Sequence, residues 1–163
     1  MRSRGRFRGK QLSALLAAFV LLTLSAPSAA QGVQISNLSD VSFGTITNVG
    51  VDQVRSQSVC AFSGLLGGRY SLTATGSGTG NAFTLVNGSA SLAYEVQWSG
   101  SSGQTSGTNL VSGAPLTGQT MLLSCPLTQA TNSSLIVILR AAALSSATSG
   151  SYTGTLTIML AAD

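Results

Sequence analysis

The fold class this sequence predicts is all-β: an immunoglobulin-like β-sandwich in a single domain. Three observations predict it. Apolar and polar residues alternate with the period of a strand, glycine- and serine-rich turns break the chain at hairpin spacing, and no long amphipathic helix is visible after residue 30.

The strand at residues 91–98 is the clearest. Leu92, Tyr94, Val96 and Trp98 fall on one face, and Ser91, Ala93, Glu95 and Gln97 on the other. In 69–75, Tyr70, Leu72 and Ala74 alternate with Ser71, Thr73 and Thr75. In 152–160, Tyr152, Leu156, Ile158 and Leu160 share a face, opposed by Thr153, Thr155 and Thr157. Residues 135–139 run Leu, Ile, Val, Ile, Leu without a polar break. Their β-branched content favours a central strand covered on both faces over a short helix. Shorter candidate strands are 41–46, 58–62, 82–86 and 121–125. Turns are expected at 64–68, 76–80, Asn87-Gly88, 100–107 and Ser149-Gly150, with 99–107 reading as a flexible loop.

Residues 1–30 read as a cleaved secretory signal and lie outside the fold. Arg2, Arg4, Arg6, Arg8 and Lys10 form a basic head, residues 12–24 an apolar stretch, and Ser28-Ala29-Ala30 a small-residue cleavage site. The apolar stretch is short of the roughly 20 residues a membrane-spanning helix needs, so no stable membrane insertion is expected. The domain is then 31–163, a length that buries a substantial core.

Removing the leader removes five of the eight cations. Arg55, Arg69 and Arg140 remain against Asp40, Asp52, Glu95 and Asp163, a net charge of about −1. The basic pI belongs to the leader. No cluster of cations is left to neutralise phosphates, which argues against a nucleic-acid partner.

The inventory for catalysis is sparse. The chain has no histidine, which excludes Ser-His-Asp and Cys-His sites and histidine-built zinc centres. Two cysteines are too few for an all-thiolate zinc site, and the acidic residues form no calcium loop. A carboxylate pair brought together from distant strands is the one enzymatic arrangement open to it, and no spacing singles one out. The glycines of 76–80 lack the Lys-Ser/Thr ending of a phosphate-binding loop. The expectation is a non-enzymatic protein without cofactors. Trp98 and Tyr94 admit a sugar-stacking reading, but their phase with Leu92 and Val96 assigns them to the core. Cys60 and Cys125, both in the exported part, are expected to form one disulfide in an oxidising compartment.

With the strands placed, Val41-Ser-Phe-Gly-Thr-Ile46 resembles the early strand of the spore coat protein U domain, and Gly150-Ser-Tyr-Thr-Gly-Thr-Leu-Thr-Ile158 resembles its closing strand. Ser58-Val-Cys60, Tyr70-Ser-Leu-Thr-Ala, Leu92-Ala-Tyr94 and Cys125 follow that domain's order between them. Proteins of this family resemble subunits of archaic, Csu-type chaperone–usher pili. The resemblance implies an incomplete sandwich lacking its final strand, with a periplasmic chaperone, an outer-membrane usher and neighbouring pilus subunits as partners. A strand from another polypeptide would complete the sheet. Leu135, Val137, Leu139, Leu156, Ile158 and Leu160 are the candidate residues of the groove that accepts it. Only ten residues, 31–40, precede Val41 after cleavage, and none is cysteine. The expectation is a tip or minor subunit that accepts a strand without donating one, serving adhesion or biofilm formation at the cell surface. A self-contained secreted β-sandwich that binds carbohydrate is the alternative.

Overall fold

The computed structural model describes residues 32–64, 68–120 and 131–163. The described strands are β1 (Val33–Ser36), β2 (Gln53–Ser63), β3 (Arg69–Gly76), β4 (Thr84–Asn87), β5 (Ala90–Ala93), β6 (Glu95–Ser99), β7 (Thr108–Asn109), β8 (Pro115–Thr120), β9 (Ser133–Leu139) and β10 (Leu156–Ala162), with one six-residue helix, α1 (Ala141–Ser146). They form a five-stranded sheet of order β1-β2-β9-β6-β7, a three-stranded sheet of order β10-β3-β8 and the hairpin β4-β5. Every pairing is antiparallel.

The two larger sheets enclose one apolar core, as a β-sandwich does. Tyr70, Leu72 and Ala74 of β3 enter it from one side, and Leu135, Val137 and Leu139 of β9 from the other, joined by Val96 and Trp98 of β6. The alternation predicted for 69–75 holds, since those three residues of β3 are at most 1% exposed.

β9 is buried along its whole length, as its unbroken apolar run predicts. Its inner face meets the core. At Ser134 its outer face is tied to the loop between β6 and β7, so the segment expected to be a flexible loop is instead anchored. The Gly103 N–H donates to Ser58 Oγ (3.0 Å) and the Gln104 N–H to Ser134 Oγ (3.0 Å), while Ser134 Oγ donates to the Ser101 carbonyl (2.9 Å). Gln97, assigned to a solvent face by its phase, is buried beneath the same loop. Its Oε1 accepts from the Gly107 N–H and its Nε2 donates to Asn109 Oδ1. The loop backbone thus satisfies the buried Ser134 and Gln97 side chains, which would be costly to bury unpaired.

Three expected strands differ. Residues 91–98 form two strands, because the chain changes partners at Tyr94. β5 pairs with β4, β6 pairs with β9, and the Tyr94 N–H donates to the Phe83 carbonyl at the joint. The apolar phase runs through unbroken, so Leu92, Tyr94, Val96 and Trp98 are all buried. Residues 152–155 do not extend β10. Thr153 exchanges two backbone hydrogen bonds with Val86 of β4, and the Thr155 N–H donates to Ser77 Oγ, so this stretch is drawn away from β3.

Residues 41–46 are irregular. Asn37 (φ 65°) turns the chain out of β1, and Gly44 (φ 63°) breaks the alternation within the segment. At Gly44 an added Cβ would meet nothing within 4 Å, so the left-handed backbone alone calls for glycine there. The strand expected at 82–86 is β4, beginning at Thr84, and that expected at 58–62 is the centre of the longer β2. The strand expected at 121–125 lies outside the described residues.

Candidate functional site

Between the open end of β10 and the irregular segment after β1 lies a groove of about 1270 Å³. It is larger than the roughly 300–1,000 Å³ of a small-molecule pocket. Its floor is the core itself: Leu92 and Tyr94, Leu135, Val137 and Leu139 of β9, and Leu144 of α1. One wall is segment 38–46, where Phe43 and Ile46 pack partly buried against the core. The other wall is 147–156, continued by Ile158. Leu38 and Val49, 43% and 44% exposed, leave the rim open to water.

Five of the six expected groove residues meet here, namely Leu135, Val137, Leu139, Leu156 and Ile158. Leu160, further along β10, packs partly buried against the core and is not part of the lining. Segment 38–46, Tyr94 and Leu144 also line the groove, and sequence patterning does not assign them to it. The segment has no strand period to announce a wall, and Leu144 sits on a helix too short to show periodicity.

Part of each wall presents backbone without a strand partner, although Thr153 in the second is already bonded to Val86 of β4. β10 is the edge of its sheet, paired only with β3 among the described residues. From Asp40 to Thr47 no backbone group is hydrogen-bonded to another backbone group among the described residues. An apolar floor between the β10 edge, at Leu156 and Ile158, and the unladdered segment 40–47 offers what an incoming strand needs: donors and acceptors on either side, and depressions for alternate side chains.

The charged residues form a separate cluster at one end of the five-stranded sheet. Arg140 donates to Asp52 Oδ2 (2.7 Å) and Glu95 Oε2 (2.5 Å), and Asp52 Oδ1 accepts the Ala141 N–H at the start of α1 (2.8 Å). That backbone donor, then Arg140, holds the Asp52 carboxyl below its ordinary value of 3.8. Glu95 first, then Asp52, raises the Arg140 guanidinium. The fold therefore does bring two carboxylates together from distant strands, but with a guanidinium bound to both. That is a half-exposed ionic strut and lacks the uncompensated acid and base that glycoside hydrolysis uses.

Among the described residues no group of three or more His, Cys, Asp or Glu is placed to hold a metal, and no helix is long and apolar enough to cross a membrane. Trp98 and Tyr94 are buried, at 1% and 7% exposure, so neither offers its ring to a sugar in solution. Burial also pushes the Tyr94 phenol above its ordinary value. Cys60 is buried in β2 and accepts a hydrogen bond from Asn132 Nδ2 at 3.3 Å. Cys125, its expected partner, lies outside the described residues.

The fold resembles that of a chain in a solved chaperone–tip adhesin complex, described as vital for synergistic activation of CFA/I fimbriae biogenesis. The TM-score is 0.52 and the identity 17%, over 80% of this chain and 42% of that one. This chain thus spans less than half the length of the chain it matches, and the likeness is one of fold. No family model and no curated protein matches the sequence.

Proposed function

We propose that this chain is a structural or adhesive subunit of a chaperone–usher type surface pilus, an incomplete immunoglobulin-like sandwich completed by a strand from another polypeptide. The observation that carries the reading is the groove, whose apolar floor lies between β10 and segment 38–46, both without a strand partner on the facing side among the described residues. Left uncovered, such an edge is a template for aggregation. A periplasmic chaperone covers it in transit, and at the outer-membrane usher a neighbouring subunit takes over. The fold likeness to a chain of a chaperone–tip adhesin complex supports the same class.

Within the fibre, the reading is a tip or minor subunit. Val33–Ser36, the alternating segment nearest the expected cleavage site, is hydrogen-bonded to β2 as β1. Val33 and Ile35 pack against the core. Donating that segment to a neighbour would strip the subunit's own sheet. The protein is exported, passes through the periplasm and ends at the cell surface.

Purification from periplasm tests the class. The expected result is a stable one-to-one complex with an immunoglobulin-like chaperone, and loss of the subunit when the chaperone is deleted. A soluble, heat-resistant monomer that needs no companion would overturn the proposal in favour of a closed secreted sandwich.

A further inference from the structure

On β2 the inward phase of Val59 and Ala61 continues to Gln57, Arg55 and Gln53, which lie opposite Leu135, Val137 and Leu139 of β9. Three polar side chains, Arg55 exposed and Gln53 and Gln57 half-buried, thus continue a phase that is apolar where β2 enters the core. Packing does not explain them, but their hydrogen bonds do. Gln57 Oε1 accepts both the N–H and the hydroxyl of Ser39, at 2.9 and 3.0 Å. Arg55 Nε donates to the Ser42 carbonyl at 3.2 Å, a longer contact reaches the Phe43 carbonyl, and the guanidinium sits 5.5 Å from the centre of the Phe43 ring. Gln53 Nε2 makes a longer contact to the Asn48 carbonyl. Segment 38–49, which has no backbone ladder of its own across its middle, is held to the sheet by these side chains and by the partial burial of Phe43 and Ile46.

We infer that Arg55 and Gln57 are positioning residues: a clasp that seats segment 38–49 as a detachable wall of the groove, so that the wall shifts without unfolding the sandwich when a strand enters. This deepens the strand-acceptor reading and rests on it for the role of the groove. A wall fixed by a backbone ladder would move only by breaking the sheet. A wall fixed by a guanidinium, an amide and two apolar side chains moves at the cost of a few charge-assisted and neutral hydrogen bonds. It then offers its freed backbone to the incoming strand.

The test is limited proteolysis of the exported chain with chymotrypsin, comparing cleavage after Phe43 with cleavage after Tyr70, which is buried in β3. Arg55→Met and Gln57→Met are expected to speed cleavage after Phe43 by about tenfold, leave cleavage after Tyr70 unchanged, and leave Arg55→Lys in between. Equal rates after Phe43 in all variants would overturn the clasp. So would a parallel rise at Phe43 and Tyr70, which signals general destabilisation. The clasp and the strand-acceptor reading fail separately. Selective acceleration at Phe43 in a chain that never pairs with a chaperone keeps the clasp and removes its role, whereas unchanged cleavage in a chain that does pair removes the clasp alone.

Discussion

Ile158 of β10 lies opposite Ala74 of β3 in antiparallel register, and on the far side of Ile158 no strand is paired among the described residues. Its side chain turns into the groove, while that of its neighbour Met159, 58% exposed, turns away. A covering strand would desolvate the first and leave the second in water. Ile158→Asp is therefore expected to lower recovery of the chaperone-bound subunit on the order of a hundredfold, because an unpaired buried charge costs several kcal/mol. Met159→Asp is expected to change stability by no more than about 0.5 kcal/mol. Quantifying the co-purified complex for both variants checks the contrast.

Ser134 ties the outer face of β9 to the loop above it, donating to Ser101 and accepting from Gln104. It is fully buried. Ser134→Ala removes both hydrogen bonds between this buried hydroxyl and the loop backbone, and should cost about 0.5–1.5 kcal/mol. Chemical denaturation of the complexed subunit measures it.

Asp52 makes stability depend on acid. Its carboxyl is held below the ordinary value of 3.8 by the Ala141 N–H and Arg140. A depressed folded-state pKa contributes stability that is present above the unfolded value and is lost as pH falls through the folded one. The contribution should therefore be complete at neutral pH and disappear on acidification below about pH 4. Asp52→Asn should flatten that part of the stability–pH profile, and unfolding followed from pH 7 to pH 2 records the difference.

Cys60 is expected to be bridged to Cys125. Thiol titration of the denatured, unreduced exported protein should find no free cysteine. Cys60→Ser should cost roughly 4 kcal/mol, the loop-closure contribution of so long a span. Two titratable thiols would show that the bridge does not form.

How far the fold was legible follows from these residues. Tyr70, Leu72 and Ala74 announce an inward face, and the run from Leu135 to Leu139 announces a strand covered twice over, because both signals depend on side-chain chemistry repeating along one strand. The partner switch at Tyr94 leaves no such trace, since burial phase is the same whichever strand lies alongside. Segment 41–46 misleads in the opposite sense. Its alternating residues read as a strand, but the hydrogen-bonding neighbour that would make it one is not present among the described residues. The groove's far side was legible in Leu156 and Ile158. Its near side is carried by Gln57 and Arg55, which keep the inward phase of Val59 and Ala61 while changing chemistry, and a polar residue in phase leaves no mark on an apolar period.

The open seam is tested most directly by placing a photo-crosslinking amino acid at residue 158 and illuminating cells that export the protein. One dominant adduct is expected, joining the chain to a second polypeptide, with the crosslink mapping to an extended segment of alternating apolar residues. Crosslinks confined to the chain's own residues would contradict the open seam.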